Sequence, residues 1–316
     1  MLHICICVHN PRPNILEQVL RSLARQTCPA GTFEVVVIDN ASQPPISHTI
    51  CRSILGESIP LRIEREETLG NAHARARAVS ATDGEWILFV DDDTELAPDY
   101  VEQGLRVISD NPGIGCFGGK LLLPDYLKAP KWVQPLLPFL AIKNAGPEPI
   151  TACVDYWGIW EPPSAGAFVR RPVLERYLSI MIGSNNAHRL GRKGRRSLNS
   201  GEDSLMMRGA HALGLAVSYQ PSLSLTHHLD PRRFRFKYLL RLMHGYGRSQ
   251  VILERVLAKQ AALPPLTSLT PARSVLWALY DIVKKFSQES KLAMRYACCM
   301  LAFRIGYFVE QHRPQR

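Results

Sequence analysis

The sequence predicts an α/β fold in which a mostly parallel sheet carries helices on both faces. Three apolar runs, residues 2–8, 33–38 and 86–90, have the length of buried strands. Segments with helical spacing lie between them. Strands that alternate with helices build a parallel, doubly wound sheet, and ligands bind at the carboxyl edge of such a sheet.

The first half of the chain supplies these elements in order. Residues 9–13, after the first strand, form a turn rich in breakers, and four apolar residues then recur at helical spacing: Ile15, Val19, Leu20 and Leu23. A short third strand and a helix rich in alanine and arginine come before the strand at 86–90. The expected ranges are helix 14–26, strand 33–38, strand 61–64 and helix 72–81.

The second half is less regular. From Lys120 onward, closely spaced prolines and three tryptophans indicate a long segment rich in loops. Helices are expected over 169–177 and 202–213, and a strand over 222–226. A linker rich in proline, threonine and serine then runs to Pro271, and residues 275–309 are helical and largely apolar. We therefore expect an α/β domain over 1–260 and a helical extension over 261–316.

The net charge of the chain indicates which kinds of molecule it binds. The 316 residues carry a formal net charge of +10, whereas the 46% hydrophobic and 21% charged content is ordinary. Such a charge indicates an anionic partner: nucleic acid, a phosphorylated substrate or an acidic membrane face. The eight cysteines lack the spacing of a zinc ribbon, so we expect a reducing, cytoplasmic compartment. We expect neither a signal peptide nor a transmembrane helix.

The acidic triplet Asp91-Asp92-Asp93 directly follows the apolar run at 86–90. Three neighbouring carboxylates repel one another unless a cation or hydrogen-bond donors compensate. Mg²⁺ is often held by one or two carboxylates together with substrate phosphates, so one hypothesis is a metal–diphosphate site. The alternative is a solvated acidic turn that caps a helix opening at Thr94.

Two further groups lie where elements begin or end. Asp39 and Asn40 end the second strand, where a carboxylate can hold a ribose or a polar ring, or form an ordinary turn. Gly70 precedes a helix, and a glycine there lets a diphosphate approach free N–H groups. Arg75 lies one turn further on, where it contacts a phosphate or pairs with an acidic neighbour.

Late polar residues suggest a base and a metal ligand. Glu202 and Asp203 stand before an apolar helical run, either as ordinary acidic residues of a helix N-terminus or as a general base on a rigid helix end. His227 and His228 end a strand. A lone histidine is more often structural, but two at a strand end, followed by Arg232 and Arg233, make a metal or phosphate role more plausible.

Taken in order, these motifs resemble those of family 2 glycosyltransferases, which have the GT-A fold. The Asp-x-Asp motif corresponds to residues 91–93, the Glu-Asp motif to 202–203, and the late histidine to His227 or His228. The resemblance covers roughly residues 2–250. The other matching segments are the strand-end motifs at 8–10 and 37–42, the Gly-x-x-x-Ala-Arg segment at 70–75 and the Gly-Ala segment at 164–171.

The resemblance implies an inverting transfer in one step. Asp39 then holds the nucleotide base, Asp91 holds the ribose, and Asp93 with His227 holds Mg²⁺ or Mn²⁺ on the diphosphate. Asp203 deprotonates the acceptor. The half over 1–120 binds the donor and the half over 121–260 binds the acceptor. The remaining residues assigned in this way are Val8, Asn10, Asn40, Gly70, Arg75 and Asp92 for the donor and Trp157, Trp160, Ala165, Gly166 and Glu202 for the acceptor. Trp157 and Trp160 either stack on apolar sugar faces or pack in the core.

The implied partners are a nucleotide-sugar donor, most commonly of uridine diphosphate, and a glycan or lipid-linked acceptor used in polysaccharide biosynthesis. The C-terminal helices are expected to pack on the catalytic domain, to form a homodimer, or to attach peripherally to an anionic membrane face, which the net charge favours. Two rivals stay open. One is a nucleic-acid-binding protein, for which the sequence shows no supporting motif. The other is a nucleotidyltransferase, which would need a glycine-rich loop followed by lysine near the N-terminus.

Overall fold

The computed structural model describes residues 1–29, 31–192, 197–261 and 290–313. The chain packs as two compact units. The first, which we call the sheet unit, comprises Met1–Pro124, Ala141–Gly183 and Asp203–Leu229. The second, the helical unit, comprises Asp125–Leu140, Ser184–Glu202 and Asp230–Arg316. The boundary expected near residue 260 runs inside the helical unit, because the helix that begins at Phe236 already belongs to it.

The sheet unit is built on one mixed sheet of nine strands, in the order β3-β2-β1-β4-β8-β6-β9-β5, with β7 also paired to β9. Strands β3, β2, β1 and β4 are parallel, and β8 is antiparallel to both of its neighbours. The strands are β1 (Leu2–Val8), β2 (Phe33–Asn40), β3 (Leu61–Glu66), β4 (Trp86–Asp91), β5 (Thr94–Leu96), β6 (Ile114–Leu122), β7 (Ile150–Ala152), β8 (Ala167–Arg170) and β9 (Ala216–His227).

Six helices accompany this sheet, and they confirm the α/β class. They are α1 (Pro13–Ala24), α2 (His48–Leu55), α3 (Asn71–Ser80), α4 (Tyr100–Asp110), α5 (Arg171–Gly183) and α6 (Glu202–His211). Strands β1, β2 and β4 are almost wholly buried. Apolar runs in these segments therefore identify the strands without any alternation.

An aromatic stack connects α4 to the sheet. The ring of Phe168 on β8 stacks between Phe117 on β6 and Tyr100 on α4, with centroid distances of 4.7 and 6.0 Å. A Cβ on Gly104 would lie 2.1 Å from Phe168, so the glycine allows α4 to pack directly over this ring. The Tyr100 hydroxyl donates a hydrogen bond to the carbonyl oxygen of Gly166 at 2.6 Å, which orders the turn before β8.

Two local expectations are wrong. Residues 94–96 form strand β5 rather than opening a helix, because they pair antiparallel with the end of β9. Residues 167–170 form strand β8, and the helix expected from residue 169 begins only at Arg171. In both cases the strand is three or four residues long, so its local pattern is too short to show the period of a strand.

The helical unit contains the 3₁₀ segments Lys131–Leu140, Ala187–Arg189 and Pro231–Phe234 and the helices α7 (Phe236–Ala261) and α8 (Ser290–Gln311). Helices α7 and α8 approach closely at two glycines: a Cβ on Gly247 would lie 1.8 Å from the Phe303 carbonyl oxygen, and one on Gly306 would lie 2.0 Å from that of His244. The expected linker and the first part of the helix expected over 275–309 lie outside the described residues. Within the described part of the chain, no helix has the length and apolar character required to cross a bilayer.

Candidate active site

The acidic triplet lies in a tight turn at the carboxyl edge of the sheet. Thr94 closes this turn, since its hydroxyl oxygen accepts a hydrogen bond from the Asp91 N–H at 3.1 Å and donates one to the Asp91 carbonyl at 3.0 Å. Strand β5 then pairs with β9 so that Thr94 lies opposite His227. This pairing brings Asp93 and His227 together, although they lie 134 positions apart in the chain.

Asp93 and His227 are arranged so that they could act as two ligands of a metal ion. Both residues are buried, and Nε2 of His227 lies 3.3 Å from Oδ1 of Asp93. Nδ1 of the ring lies 3.4 Å from the carbonyl oxygen of Ala141, which can only accept, so we place the ring proton on Nδ1. Nε2 then presents a lone pair, and it has no hydrogen-bond partner among the described residues.

The spacing of these two atoms fits a cation between them. Two neighbouring ligands of a metal with bonds of about 2.1 Å lie roughly 3 Å apart when the angle at the metal is close to a right angle. A buried lone pair that faces a carboxylate is unfavourable without a cation or a proton. No group of three or more His, Cys, Asp or Glu side chains converges in the described part of the chain. Asp93 and His227 are a pair that could hold a cation.

The structure also separates the two histidines. Nε2 of His228 lies 3.0 Å from Oε2 of Glu95, and the His228 backbone N–H donates to the carbonyl oxygen of Asp93 at 2.8 Å. His228 therefore supports the loop that carries Asp93, whereas His227 faces its carboxylate. Of the two, His227 has the geometry of a ligand.

Arg12 is a residue of this site that the sequence pattern did not identify. Its Nη2 lies 3.9 Å from Oδ2 of Asp93 and donates a hydrogen bond to the carbonyl oxygen of His228. The turn between β1 and α1 places it there, because β1 is the parallel neighbour of β4. The local signal is an arginine just beyond the end of a buried strand, which by itself predicts only a turn.

Arg75 pairs with an acidic neighbour, which was one of the two alternatives for this residue. Its side chain is buried, and Nη2 lies 3.4 Å from Oδ1 of Asp91, whose side chain is about one-third exposed. Gly70 precedes α3 with a φ of 144°, and its N–H donates to Oδ1 of Asn40 at 2.8 Å. Asp92 lies between Asp91 and Asp93 and is half-buried.

Asp39 is buried and strongly hydrogen-bonded within the protein. Its carboxylate accepts from the backbone N–H groups of Ser42 and Ile46, each at 3.0 Å, and from Nη1 of Arg65 at 2.7 Å. Burial alone would raise the pKa of Asp39, but these hydrogen bonds outweigh it and hold the pKa below its ordinary value. Asp39 is thus a fixed anion that orders the loop after β2, and its contact with a base stays a prediction.

The loops after β1 and β2 are joined to each other. Asn40 donates to the carbonyl oxygens of Glu66 and Thr68. Asn10 adopts a φ of 45°, its backbone N–H donates to the Ser42 hydroxyl at 3.0 Å, and its Oδ1 accepts from the Gln43 N–H at 2.8 Å. Val8 is buried opposite Asp39 in the register of β1 and β2. The donor roles of these residues stay predictions.

The residues assigned to the acceptor differ in exposure. Trp157 is 60% exposed, so it does not pack in the core. Trp160 is half-buried and meets the ring of Tyr156 edge-on, with centroids 5.3 Å apart. Ala165 and Gly166 are buried, and the Gly166 carbonyl oxygen accepts a hydrogen bond from the Tyr100 hydroxyl. Their acceptor roles stay predictions.

Asp203 belongs to a second polar cluster of the sheet unit, at the start of α6. Its Oδ1 accepts a hydrogen bond from the Ser204 N–H at 2.9 Å, and the Ser204 hydroxyl donates to Oε1 of Glu161 at 2.5 Å. Glu161 is 5% exposed, and burial raises its pKa to about 7. Glu202, the first residue of α6, is also buried. Glu161 has no local signal in the sequence, because its place in a proline-rich loop gives no sign of burial.

The sequence is similar to those of known glycosyltransferases. The family model described as Glycosyl transferase family 2 matches residues 3–178. Among curated proteins, an uncharacterized glycosyltransferase of Haemophilus influenzae is 33% identical over 115 residues. That match covers 36% of this chain and 36% of the relative, so the chain matches little more than one-third of that protein's length.

Two solved structures share the fold over nearly the whole chain. Crystalline TarS from S. aureus, residues 1–349, superimposes with a TM-score of 0.51 at 16% identity, covering 100% of this chain and 93% of that one. The mannosyltransferase PcManGT from Pyrobaculum calidifontis, in complex with GDP-Man and Mn²⁺, gives 0.54 at 17% identity, with 97% and 86% covered. At these identities the likeness establishes the fold and leaves the substrates open.

Proposed function

This chain belongs to glycosyl transferase family 2, and on that premise we propose that it is a metal-dependent, inverting glycosyltransferase. It moves a sugar from a nucleoside-diphosphate sugar to a hydroxyl group of a glycan or lipid-linked acceptor in polysaccharide biosynthesis. The observation that carries the proposal is the buried pair of Asp93 and His227, whose facing oxygen and nitrogen lie 3.3 Å apart at the carboxyl edge of the sheet. A uridine diphosphate donor is the family's commonest choice.

Each residue has a chemical task in this proposal. Asp93 and His227 would hold Mg²⁺ or Mn²⁺, and a bound divalent cation stabilises the charge that develops on a leaving diphosphate. The guanidinium of Arg12, beside Asp93, adds positive charge where the diphosphate would lie. Arg75 orients Asp91, the carboxylate proposed to hold the ribose. The Pyrobaculum mannosyltransferase, solved in complex with GDP-Man and Mn²⁺, supports the use of a divalent cation.

The transfer itself needs a base, and we propose Asp203. The acceptor oxygen forms a bond to the anomeric carbon as the bond from that carbon to the diphosphate oxygen breaks. The electron pair of the broken bond leaves with the nucleoside diphosphate, and Asp203 takes the acceptor proton. A positioned base contributes about 10²–10⁴-fold to such a step.

The experiment is a panel of nucleotide sugars assayed for released nucleoside diphosphate, with Mn²⁺, with Mg²⁺ and after chelation. We expect transfer with one donor class, its loss after chelation, and its loss in Asp203→Asn with an unchanged thermal unfolding midpoint. Full activity after exhaustive chelation removes the metal role. Near wild-type transfer by Asp203→Asn removes the base assignment. Release of pyrophosphate in place of a nucleoside diphosphate indicates the nucleotidyltransferase alternative.

We also propose that the protein acts in the cytoplasm and attaches peripherally to an anionic membrane face. The net charge of +10 supports this. Helix α8 adds apolar surface at Met294, Ile305 and Val309, each about half exposed and spaced for one helix face. Flotation with anionic vesicles at low and high salt tests the proposal. Failure to float, together with dimeric mass in solution, would favour the homodimer expected through the C-terminal helices.

A further inference from the structure

Glu161 is a buried acidic residue that the proposed mechanism does not use. It lies in the loop between β7 and β8, and only 5% of the residue is exposed. Its Oε1 accepts a hydrogen bond from the Ser204 hydroxyl at 2.5 Å, while Oε2 has no hydrogen-bond partner among the residues that the structure describes. Carboxylates are rarely buried in this way unless they are paired, so this residue requires an explanation.

Ser204 connects Glu161 to the proposed base. The backbone N–H of Ser204 donates to Oδ1 of Asp203 at 2.9 Å, and its side chain donates to Glu161. Glu161 is held in place from the other side, because Nζ of Lys143 donates to its backbone carbonyl oxygen at 2.8 Å. A continuous chain of contacts therefore runs from Lys143 through Glu161 and Ser204 to Asp203.

The charges around Glu161 place its titration close to neutral pH. Burial is the largest effect and raises its pKa to about 7, and the negative charge of Asp203 acts in the same direction. The Ser204 hydrogen bond and the positive charges of Arg208 and Lys143 oppose it. From the sheet, the buried thiol of Cys116 on β6 lies within electrostatic reach of Glu161.

We propose that Glu161 is a positioning residue for Asp203: through the Ser204 hydroxyl it holds the first turn of α6, and with it the Asp203 carboxylate, in the orientation used for transfer. This inference rests on the proposed function, since it assumes that Asp203 is the base. An ionised Glu161 accepts a charge-assisted hydrogen bond from the Ser204 hydroxyl. A protonated carboxyl group is a weaker hydrogen-bond acceptor, and its own O–H group needs an acceptor.

The kinetic test compares wild type with Glu161→Gln across about pH 5.5–8.5 at saturating donor. We expect the wild-type kcat to fall as the pH drops through about 7, because Glu161 is then protonated. Glu161→Gln should lack that fall and should have a kcat about tenfold lower at pH 8, since a neutral amide oxygen replaces the carboxylate. The KM for the donor should stay unchanged, because Glu161 acts on the base.

A second variant and a matched control separate positioning from damage. Ser204→Ala should lower kcat by a similar factor, and the double variant should be no worse than either single one, as expected for residues that act through one contact. Glu85→Gln is the control, because Glu85 is an exposed carboxylate paired with Arg170, and its pH profile should match that of wild type. A wild-type pH profile in Glu161→Gln overturns the inference, as does additive loss in the double variant.

Hydrogen exchange keeps this inference distinct from the proposed function. The amides in the first turn of α6 should exchange faster in Glu161→Gln than in wild type at pH 8, and the two proteins should converge near pH 5.5. That readout needs no activity. Changed protection without any sugar transfer would refute the proposed function, while showing that Glu161 orders the first turn of α6 through Ser204. Transfer with unchanged protection and an unchanged pH profile would refute the positioning role alone.

Discussion

Glu161→Gln should make the stability of the protein respond differently to pH. The ordinary pKa of a glutamate is 4.5, and burial raises that of Glu161 to about 7 in the folded protein. The folded state therefore binds more protons than the unfolded state between these values. Stability falls as the pH rises through this window, and the full effect of Glu161 is present only above about pH 7. The glutamine variant has no proton to lose.

The size of the effect follows from the pKa difference. One pKa unit corresponds to about 1.4 kcal/mol, so a buried Glu161 costs the folded state roughly 3 kcal/mol once it is fully ionised. Between about pH 5 and pH 7.5, roughly 2 kcal/mol of that cost develops. Over this range, Glu161→Gln should gain stability relative to wild type by that amount. Lys143, whose pKa burial lowers to about 8, titrates mainly above this range.

The assay is urea unfolding of both proteins at several pH values between about 5 and 7.5. The quantity of interest is the change with pH of the difference in the free energy of unfolding, because any constant effect of the substitution cancels. Glu85→Gln, which changes an exposed carboxylate, should give a flat difference. A difference for Glu161→Gln that stays constant within about 0.5 kcal/mol would refute the account of a buried, proton-binding carboxyl group.

Two other predictions test the metal ligand and the core. His227→Ala removes the nitrogen facing Asp93, so its affinity for Mn²⁺, measured by calorimetry, should fall more than tenfold, about 1.4 kcal/mol. His228→Ala should bind Mn²⁺ more tightly than His227→Ala, because His228 contacts Glu95 instead. Equal losses of affinity in the two variants would contradict the choice of His227. Gly104→Ala should lower the free energy of unfolding by about 1–3 kcal/mol, because its Cβ would lie 2.1 Å from a buried aromatic ring, whereas Gly113→Ala meets no atom within 4 Å and should change it little.

Long-range pairing explains the parts of the fold that the sequence did not predict. The apolar runs of β1, β2 and β4 are strands because both faces of a central parallel strand are buried, and this leaves a continuous local signal. Strand β8 has four residues and inserts antiparallel between β4 and β6. Its own residues do not show this insertion, because the pairing depends on strands that are distant in the chain.

The candidate site divides in the same way. The triplet at 91–93 and the residues at 39–40 were identifiable because an acidic residue directly after a buried strand must lie at the carboxyl edge of the sheet. Arg12 and Glu161 were not identified. The importance of Arg12 comes from its distance to Asp93, and that of Glu161 comes from its burial against α6. Neither property is local.

The sequence by itself determined the α/β class, the positions of the first strands along the chain, the family resemblance and the acidic strand ends, because each depends on residues close together in the chain. The tertiary structure decided which groups face one another. The register of β5 and β9 brings His227, rather than His228, to face Asp93, and Ser204 connects Asp203 to the buried Glu161. The physical reason is that hydrogen-bond register and burial depend on contacts between segments that folding alone brings together.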